Sequence, residues 1–448
     1  METAFDSTLQ AAPAAQAVPE NSENRPTSDH PASVRFLPLE PQTFEALGIS
    51  HDKLEGLVLK LLLYRGNCPG RLIADSLHLP RALVVETLET LRAELLIAIK
   101  GSAGLEDYVF HLTEAGHERA ARLAKRCSYS GVAPVPFESY VEAIRKQSLR
   151  QSKLSNAALR SAFHGLRLSE SLLSQMGQAV NDGRGLFLYG PPGNGKTSIS
   201  ELVVGSFGEF VWIPHTITID GEMVRLYDPR SHQAVQNSDL EQMSYDRRWI
   251  LIHRPTIVVG GELTMQQLDL QFNSQTGICE APVQLRANCG ALVIDDFGRQ
   301  RMPTSELLNR LIIPMEKHHD YINLPSGRQV AVPFDMLTVF STNLKPMDLV
   351  DEAFLRRIPY KIEVQGPSEA EFIELFLELA EQSGLRCSAE AIEYLLQQHY
   401  QPTDRPLRYC HPRDLIRQIR NYCEFEGHSP EVNRHSVDVA VKNYFAQL

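Results

Sequence analysis

Apolar residues recur at helical spacing between residues 50 and 125, most clearly at Leu83, Val84, Leu88 and Leu91. This pattern predicts three helices and then two strands, at 54–64, 71–77, 81–95, 97–99 and 108–110. The two strands can pair around the glycine-containing turn Gly101–Gly104. Three helices followed by a hairpin are typical of a winged helix, a class of module that often binds DNA.

From about residue 155 the pattern alternates between helix and strand. Five short runs are apolar almost throughout, which suits the strands of a parallel sheet that is covered on both faces. They are residues 186–189, 210–213, 291–294, 337–340 and 360–364. After Gly366-Pro367 the chain is helical again, near 368–383, 388–399, 411–425 and 434–446. The sequence therefore predicts an α/β core followed by a small helical domain.

Changes in composition and pattern predict the domain boundaries. Residues 1–35 are rich in Ala, Pro, Ser, Asn and Glu and have no apolar period, so they are predicted to be a disordered tail. The run Pro134-Val135-Pro136 indicates a linker. The predicted domains are the tail (1–35), a winged-helix-like domain (36–130), a linker (131–154), an α/β core with β insertions (155–365) and a helical lid (366–448).

Charge and composition narrow the class of protein. The formal net charge of −11 argues against a general binder of nucleic acid or of anionic membranes. The third predicted helix carries Arg81 and Arg92 against Glu86, Glu89 and Glu94, so specific DNA binding is not expected of it. No apolar run is long enough to span a bilayer, and no secretory signal is visible. Seven scattered cysteines without a C-x-x-C pair fit reduced thiols, so a cytoplasmic protein is predicted.

One motif points directly to nucleotide chemistry. The run Gly190–Thr197 matches G-x-x-x-x-G-K-[ST], follows a predicted strand and precedes a predicted helix, which is the context of a phosphate loop. Its glycines let backbone N–H groups converge on phosphate oxygens. Lys196 is expected to reach the β- and γ-phosphates of ATP, and Thr197 to bind Mg²⁺. The predicted nucleotide-binding residues in this run are Gly190, Pro191, Pro192, Gly193, Asn194, Gly195, Lys196, Thr197 and Ser198.

A second motif supplies two carboxylates. The apolar run Ala291–Ile294 ends in Asp295 and Asp296, the pattern of a Walker B strand. Asp295 is predicted to hold Mg²⁺, and Asp296 to orient the attacking water.

With these two motifs, residues 155–448 resemble the AAA+ ATPases. In that family the residue at the position of Asp296 is usually Glu, which is one methylene longer. The resemblance implies a polar sensor residue at Asn343, arginine fingers that act on the neighbouring subunit at Arg356 and Arg357, and a lid arginine at Arg413 that meets the γ-phosphate. Arg357 is favoured over Arg356 by the alignment. The resemblance also implies Mg²⁺ and ATP as cofactors and a homo-oligomer, expected to be a hexamer.

Two extra segments resemble one branch of that family. The stretch between Lys196 and Asp295 is long for AAA+ proteins and contains a predicted hairpin at 216–225, with Asp220-Gly221 as its turn. A second predicted hairpin, 320–332, surrounds Ser326-Gly327. The arrangement resembles the helix-2-insert branch, which includes the MoxR-type chaperones and whose inserts line the ring pore. Merely packed β extensions are the alternative.

The layout, including the run from Asp295 to Gln300, is also similar to bacterial predicted ATPases with chaperone activity associated with Flp pilus assembly. The expected function is an ATPase that remodels or assembles an unidentified protein client. One alternative is a transcription regulator that uses the winged helix. It is disfavoured by the acidic third helix and by the lack of a Gly-Ala-Phe-Thr-Gly-Ala loop. The other alternative is an ATP switch with little turnover, which Asp296 keeps open.

Overall fold

The computed structural model describes residues 36–104, 106–151, 153–236 and 243–445. Residues 1–35, which the sequence predicts as a disordered tail, lie outside the described residues. Within the part that is described, no helix is both long and apolar enough to cross a membrane. All seven cysteines carry free thiols, in agreement with the reduced state expected from their spacing.

The N-terminal module, residues 36–126, contains the three helices and two strands that the sequence predicts, in that order, together with two helices and a strand that it did not predict. Its helices are Phe44–Leu47, His51–Arg65, Gly70–Leu77, Arg81–Ala93 and Glu114–Arg126, and its strands are β1 (Cys68–Pro69), β2 (Ile97–Gly104) and β3 (Asp107–Leu112). Strand β3 pairs antiparallel with both β1 and β2. Leu54, Val58 and Leu62 recur every four positions on the second helix and are buried in the module's core. Burial of this apolar stripe stabilises the module.

Residues 131–154, predicted as a linker, are instead a packed part of the fold. They contain β4 (Val135–Pro136) and the helix Phe137–Gln147. Tyr140 on this helix is buried, and the Gln147 side chain both donates to and accepts from the backbone of Trp212. The Pro-Val-Pro run misled the prediction because proline is as well tolerated at the start of a helix as in a linker.

The core contains a five-stranded parallel sheet. Its strands in spatial order are β10 (Thr256–Val259), β13 (Ala291–Ile294), β16 (Leu337–Thr342), β5 (Leu186–Tyr189) and β17 (Tyr360–Glu363). Leu186 and Leu188 pack into one apolar cluster and Phe187 into another, so the sheet is covered on both faces. The accompanying helices are Asn156–Ala162, Glu170–Asp182, Lys196–Gly205, Val283–Arg286, Thr304–Lys317, Pro346–Leu349 and Glu352–Arg357.

One of the five predicted core strands is wrong. Residues 210–213 belong to β6 (Phe210–Pro214), which pairs antiparallel with β9 (Trp249–His253) in a separate two-stranded sheet. The edge of the parallel sheet is formed by β10 instead. Both runs are short and apolar, so their hydrophobic pattern alone does not decide which of them pairs with β13. Most of the extra chain therefore precedes the second core strand rather than following it.

The inserted region forms a second five-stranded sheet. Its strands in spatial order are β11 (Gln271–Asn273), β12 (Ile278–Glu280), β8 (Glu222–Arg225), β7 (Thr216–Ile219) and β4. The hairpin predicted around Asp220-Gly221 is confirmed, because β7 and β8 pair antiparallel and both turn residues have positive φ. Ile217, Ile219 and Val224 are at most 1 % exposed. This hairpin is therefore a packed element, which favours the packing alternative for it.

The second predicted hairpin is also present. It consists of β14 (His319–Asn323) and β15 (Gln329–Pro333). Its tip contacts the tip of the first hairpin, since Arg328 Nη1 donates to Asp220 Oδ2 at 2.6 Å. The two hairpins are thus joined to each other at their turns.

A buried arginine attaches the N-terminal module to the inserted region. Arg248 forms an ion pair with Asp246 at 2.8 Å, and both residues are 3 % exposed. The Arg248 guanidinium also donates to the carbonyl oxygens of Leu47 and Pro134. These bonds compensate the burial of the charge. They fix the module, the segment after it and the inserted region to one another.

The C-terminal lid is helical, as predicted. Its helices are Glu369–Gln382, Ala389–Leu395, Cys410–Glu426 and Arg434–Tyr444, with a π-helical turn at Leu396–Tyr400 and a short parallel pair of β18 (Arg386–Cys387) and β19 (Glu431–Val432). Ser368 and Glu371 form a reciprocal capping box at the start of the first helix. Phe372 and Phe376 on that helix are fully buried in a core that belongs to the lid alone.

Candidate nucleotide-binding site

The phosphate loop, Gly190–Thr197, lies at the carboxyl end of strand β5, which is flanked by β16 and β17 in the parallel sheet. Gly190, Gly193 and Gly195 have φ values of +134°, +82° and +78°, a region that side-chain-bearing residues rarely adopt. A Cβ on Gly190 would also lie 2.5 Å from the carbonyl oxygen of Val364. The loop can therefore keep this path only with glycine at these positions, and its last residues begin the helix Lys196–Gly205.

The side chain of Lys196 is buried within this loop. Its Nζ donates to the carbonyl oxygens of Gly190 and Pro191, at 3.0 Å each, and to Asn343 Oδ1 at 2.7 Å. Burial lowers the pKa of the Lys196 ammonium, and the nearby Asp295 and Asp296 carboxylates act in the opposite direction. Because its partners are neutral oxygens rather than a paired acid, the ammonium can exchange them for phosphate oxygens.

The hydroxyl and the carboxylate predicted to bind Mg²⁺ are in contact. Thr197 Oγ1 donates to Asp295 Oδ2 at 2.9 Å. Asp295 follows β13, two strands away from the phosphate loop, so the sheet itself brings the two side chains together. Hydroxyl and carboxylate oxygens are the hard ligands that Mg²⁺ prefers, so these residues fit that ion.

Asp296 lies beside the sensor residue. Asn343, at the end of the intervening strand β16, has its Nδ2 at 3.4 Å from Asp296 Oδ1, so it contacts Lys196 and Asp296 at once. Asp296 has a φ of +47°, a conformation that Asp and Asn tolerate better than longer side chains do. Gln300 Nε2 donates to the carbonyl oxygens of Asp295 and Asp296, a supporting role that the sequence did not reveal.

The lid contacts the phosphate loop through its backbone. Cys410 N donates to the Gly193 carbonyl at 3.0 Å, and Tyr409 N donates to Asn194 Oδ1 at 3.3 Å. Asn194 is 4 % exposed, so it serves as a buried link to the lid. The prediction that Asn194 belongs to the nucleotide-binding loop did not foresee this second contact.

A cleft of about 1340 Å³ opens between the phosphate loop and the lid. Its polar wall includes Gly193–Gly195, Ser198 and Arg413, so the predicted lid arginine faces the same space as the loop. Its apolar wall includes Leu166, Leu168, Leu172, Leu375 and Leu379. The exposed Arg413 side chain has its Nε 3.5 Å from Asp414 Oδ1. A cleft with the backbone amides of a glycine-rich loop at one side and leucines at the other suits a nucleotide.

Together these features settle the fold. A parallel five-stranded sheet carries the phosphate loop on strand β5, the predicted sensor residue Asn343 on the central strand β16 and the Asp295-Asp296 pair on the next strand, β13. A helical lid follows and covers the loop. The core has the AAA+ P-loop fold. The predicted α/β fold class is thereby confirmed.

One family and several solved structures are similar to parts of the chain. Residues 368–443 of the lid match a family described as a domain of unknown function, DUF8689. No curated protein matches the chain. The Holliday junction branch migration motor RuvB of Thermotoga maritima is similar at 13 % identity and a TM-score of 0.35, over 62 % of this chain and 69 % of that chain. NtrX of Brucella abortus in complex with ATP is similar at 13 % identity and a TM-score of 0.38, over 62 % and 56 %.

The two predicted arginine fingers lie away from the cleft of their own AAA+ core. Arg356 pairs with Glu352 at 2.9 Å, and Arg357 pairs with Glu316 at 3.4 Å. Both side chains are largely exposed, and neither is among the described residues that line the cleft. Among the described residues, neither arginine makes a hydrogen bond or ion pair with Lys196 of the same chain.

Arg167 joins the core to the lid at the rim of the cleft. Its guanidinium contacts Glu374 at 2.6 Å and Glu378 at 2.8 Å, both on the first lid helix. We expect Arg167→Ala to speed the release of a bound fluorescent nucleotide about threefold, because partly exposed ion pairs are weak individually but both pairs are lost here. Stopped-flow dissociation measures this effect.

Arg160→Ala is the matched control for the Arg167 variant. It removes a surface ion pair with Glu170 that does not involve the lid. Its release rate should equal that of the wild type. Equal release rates for all three proteins would contradict a role for Arg167 in holding the lid.

Proposed function

We propose that this chain is an AAA+ ATPase that binds and hydrolyses Mg-ATP at subunit interfaces of a homo-oligomer, expected to be a hexamer, in order to remodel a protein partner. The observation that carries the proposal is the convergence of Lys196, the Thr197–Asp295 contact and the Asp296–Asn343 contact. These side chains come from the carboxyl ends of three neighbouring parallel strands, where α/β sheets bind their ligands. A glycine-rich loop that matched the motif by chance would not be expected to lie beside these side chains.

Each of these residues is assigned one role in phosphoryl transfer. Lys196 would neutralise charge on the β- and γ-phosphates, since it already lies within the loop that would cradle them. Thr197 and Asp295 would hold Mg²⁺, which when bound supplies positive charge next to the phosphate oxygens. Asp296 would orient the attacking water and accept its proton. Asn343 would keep Asp296 and Lys196 in register through its two contacts.

The positions of Arg356 and Arg357 support their action on a neighbouring subunit. An arginine that stabilises the transferring phosphoryl group can be supplied by another chain, and these two are exposed and outside their own cleft. Under this proposal, Arg357→Ala and Asp296→Asn subunits are each inactive alone. Mixed oligomers should regain part of the ATPase activity, because some interfaces combine an intact Asp296 with an intact Arg357.

Phosphate release from purified mixtures measures this recovery. Subunit exchange must be followed in parallel, for example by fluorescence transfer between labelled chains. Mixed oligomers that stay as inactive as their parents would contradict the assignment of Arg357 as the residue acting in trans.

Remodelling of a protein partner is proposed from the added β elements. The hairpin β11–β12 lies between the second core strand and the Asp295 strand, and the hairpin β14–β15 directly precedes the sensor strand β16. The predicted hairpin β7–β8 precedes the second core strand β10, so support for the resemblance to the helix-2-insert branch comes from β11–β12 and β14–β15 instead. The chaperone activity and the association with Flp pilus assembly come from the resemblance alone, as does the cytoplasmic location.

Two alternative functions, a low-turnover ATP switch and a transcription regulator, can be distinguished from the proposed one by experiment. A low-turnover ATP switch would bind ATP but release almost no phosphate over repeated turnovers. A steady-state phosphate-release assay therefore separates it from an ATPase. A transcription regulator is disfavoured because the helix Arg81–Ala93 carries only two arginines, which are balanced by Glu86 and Glu89. The Arg81 guanidinium already donates to the backbone carbonyl of Glu106 in the adjacent hairpin.

A further inference from the structure

Arg408 lies at the junction between the lid and the phosphate loop. It precedes the lid helix Cys410–Glu426 by two residues, and the bond from Cys410 N to the Gly193 carbonyl fixes that junction. The Arg408 Cδ lies 3.8 Å from the position that a Cβ on Gly193 would occupy. The stem of the Arg408 side chain is therefore carried by the lid and lies against the loop that would bind phosphates.

Among the described residues, Arg408 has no acidic partner of its own in these surroundings. Neighbouring His411 is buried, and its pKa is lowered to about 4 by burial first and then by Arg408 and Arg405, so His411 is neutral at pH 7. In the part of the chain that is described, Arg408 has no ion pair, whereas Asp414 is 3.5 Å from Arg413.

The hydrogen-bonding capacity of Arg408 is also incomplete. Its Nε is buried and has no hydrogen-bond partner among the described residues. A buried donor without a partner costs free energy. This cost disappears if an anion with several oxygens binds beside Arg408 at the phosphate loop. A polyphosphate has the required charge and acceptors, and arginine binds phosphate oxygens with good geometry.

We propose that Arg408 donates to the polyphosphate of the nucleotide that Lys196 binds, and so makes the position of the lid depend on the phosphates. This inference rests on the proposed binding of ATP. It adds a second lid cation to Arg413, which the resemblance predicts and which lies exposed on the helix Cys410–Glu426.

Substitutions in the full chain test the proposal. Arg408→Met keeps the apolar stem and removes the charge and all donors, whereas Arg408→Lys keeps the charge. The control, Arg417→Met, removes an exposed arginine from the helix Cys410–Glu426. Titrations with a fluorescent ATP analogue, and its displacement by inorganic tripolyphosphate, give the affinities. We expect Arg408→Met to weaken both ligands at least about tenfold. Arg408→Lys should recover a large part of the loss, and Arg417→Met should match the wild type.

The outcomes separate this inference from the proposed function. If the wild type binds ATP, Lys196→Ala does not, and Arg408→Met binds within twofold of the wild type, the inference alone is wrong. If Arg408→Met lowers the melting temperature of the nucleotide-free chain and Arg408→Lys fails to restore affinity, Arg408 is a packing residue and the inference is also wrong. If the wild type binds neither ATP nor tripolyphosphate, both proposals fail.

Discussion

Replacing Lys196 with alanine is expected to lower the affinity for ATP by at least about a hundredfold. A charge-assisted hydrogen bond is worth about 1.5–3 kcal/mol, and Lys196 can offer several donors to the β- and γ-phosphates. The side chain is only 7 % exposed, so water cannot replace it easily. The variant also loses the bonds to Gly190, Pro191 and Asn343 that shape the loop. Titration with a fluorescent ATP analogue measures the loss.

Lys361→Ala controls for the removal of one positive charge from the cleft. Lys361 lines the same cleft, but its Nζ contacts the Leu355 carbonyl rather than the phosphate loop. Its affinity for ATP should stay within about threefold of the wild type, since exposed charges contribute little. If Lys196→Ala binds ATP as tightly as Lys361→Ala, the proposal that Lys196 binds the phosphates is wrong.

Asp296→Asn should keep ATP affinity near the wild-type value and lose at least about a hundredfold in steady-state turnover. A positioned general base typically contributes a factor of 10² to 10⁴, and asparagine cannot accept the proton from water. The substitution suits the backbone, because Asn also tolerates the positive φ of this residue. It also keeps an oxygen for the contact with Asn343. Measurements of phosphate release and of ATP affinity on the same preparation separate chemistry from binding.

Asp295→Asn provides the contrasting variant. It replaces the carboxylate beside Thr197 with a neutral amide, which is a poorer ligand for Mg²⁺. ATP binding itself should therefore become less dependent on Mg²⁺ concentration. If Asp296→Asn hydrolyses ATP at the wild-type rate, another residue activates the water and the division of roles between the two aspartates is wrong.

The chemistry of the site was predictable because its signals are local. The phosphate loop needs glycines at positions of positive φ, a lysine and a threonine in one short run, and all of these are visible in the sequence. Asp295 and Asp296 are visible as carboxylates at the end of a buried strand. Parallel strands bring their carboxyl ends to one edge, so the encounter of Thr197 with Asp295 follows from the fold class.

Features that depend on pairing between distant segments were not predictable. The runs 210–213 and 256–259 have the same apolar character, and only the partner strand β13 distinguishes the core strand from the strand in the insertion. The contact of Arg328 with Asp220 joins two turns that are each unremarkable in sequence. Arg408 has no motif at all, and its position depends on how the lid packs on Gly193.

The buried Arg248 has a consequence for how this architecture can change during evolution. The Arg248 guanidinium donates to the carbonyl oxygens of Leu47 and Pro134, which both lie outside the inserted region. Trp249 beside it packs against Phe36, at a ring-centroid distance of 5.5 Å. Exchanging the N-terminal module for an unrelated one would leave a buried guanidinium short of acceptors and a tryptophan uncovered. The module and the insertion are therefore expected to be inherited as a pair, whereas the lid, with its own core, is free to diverge separately.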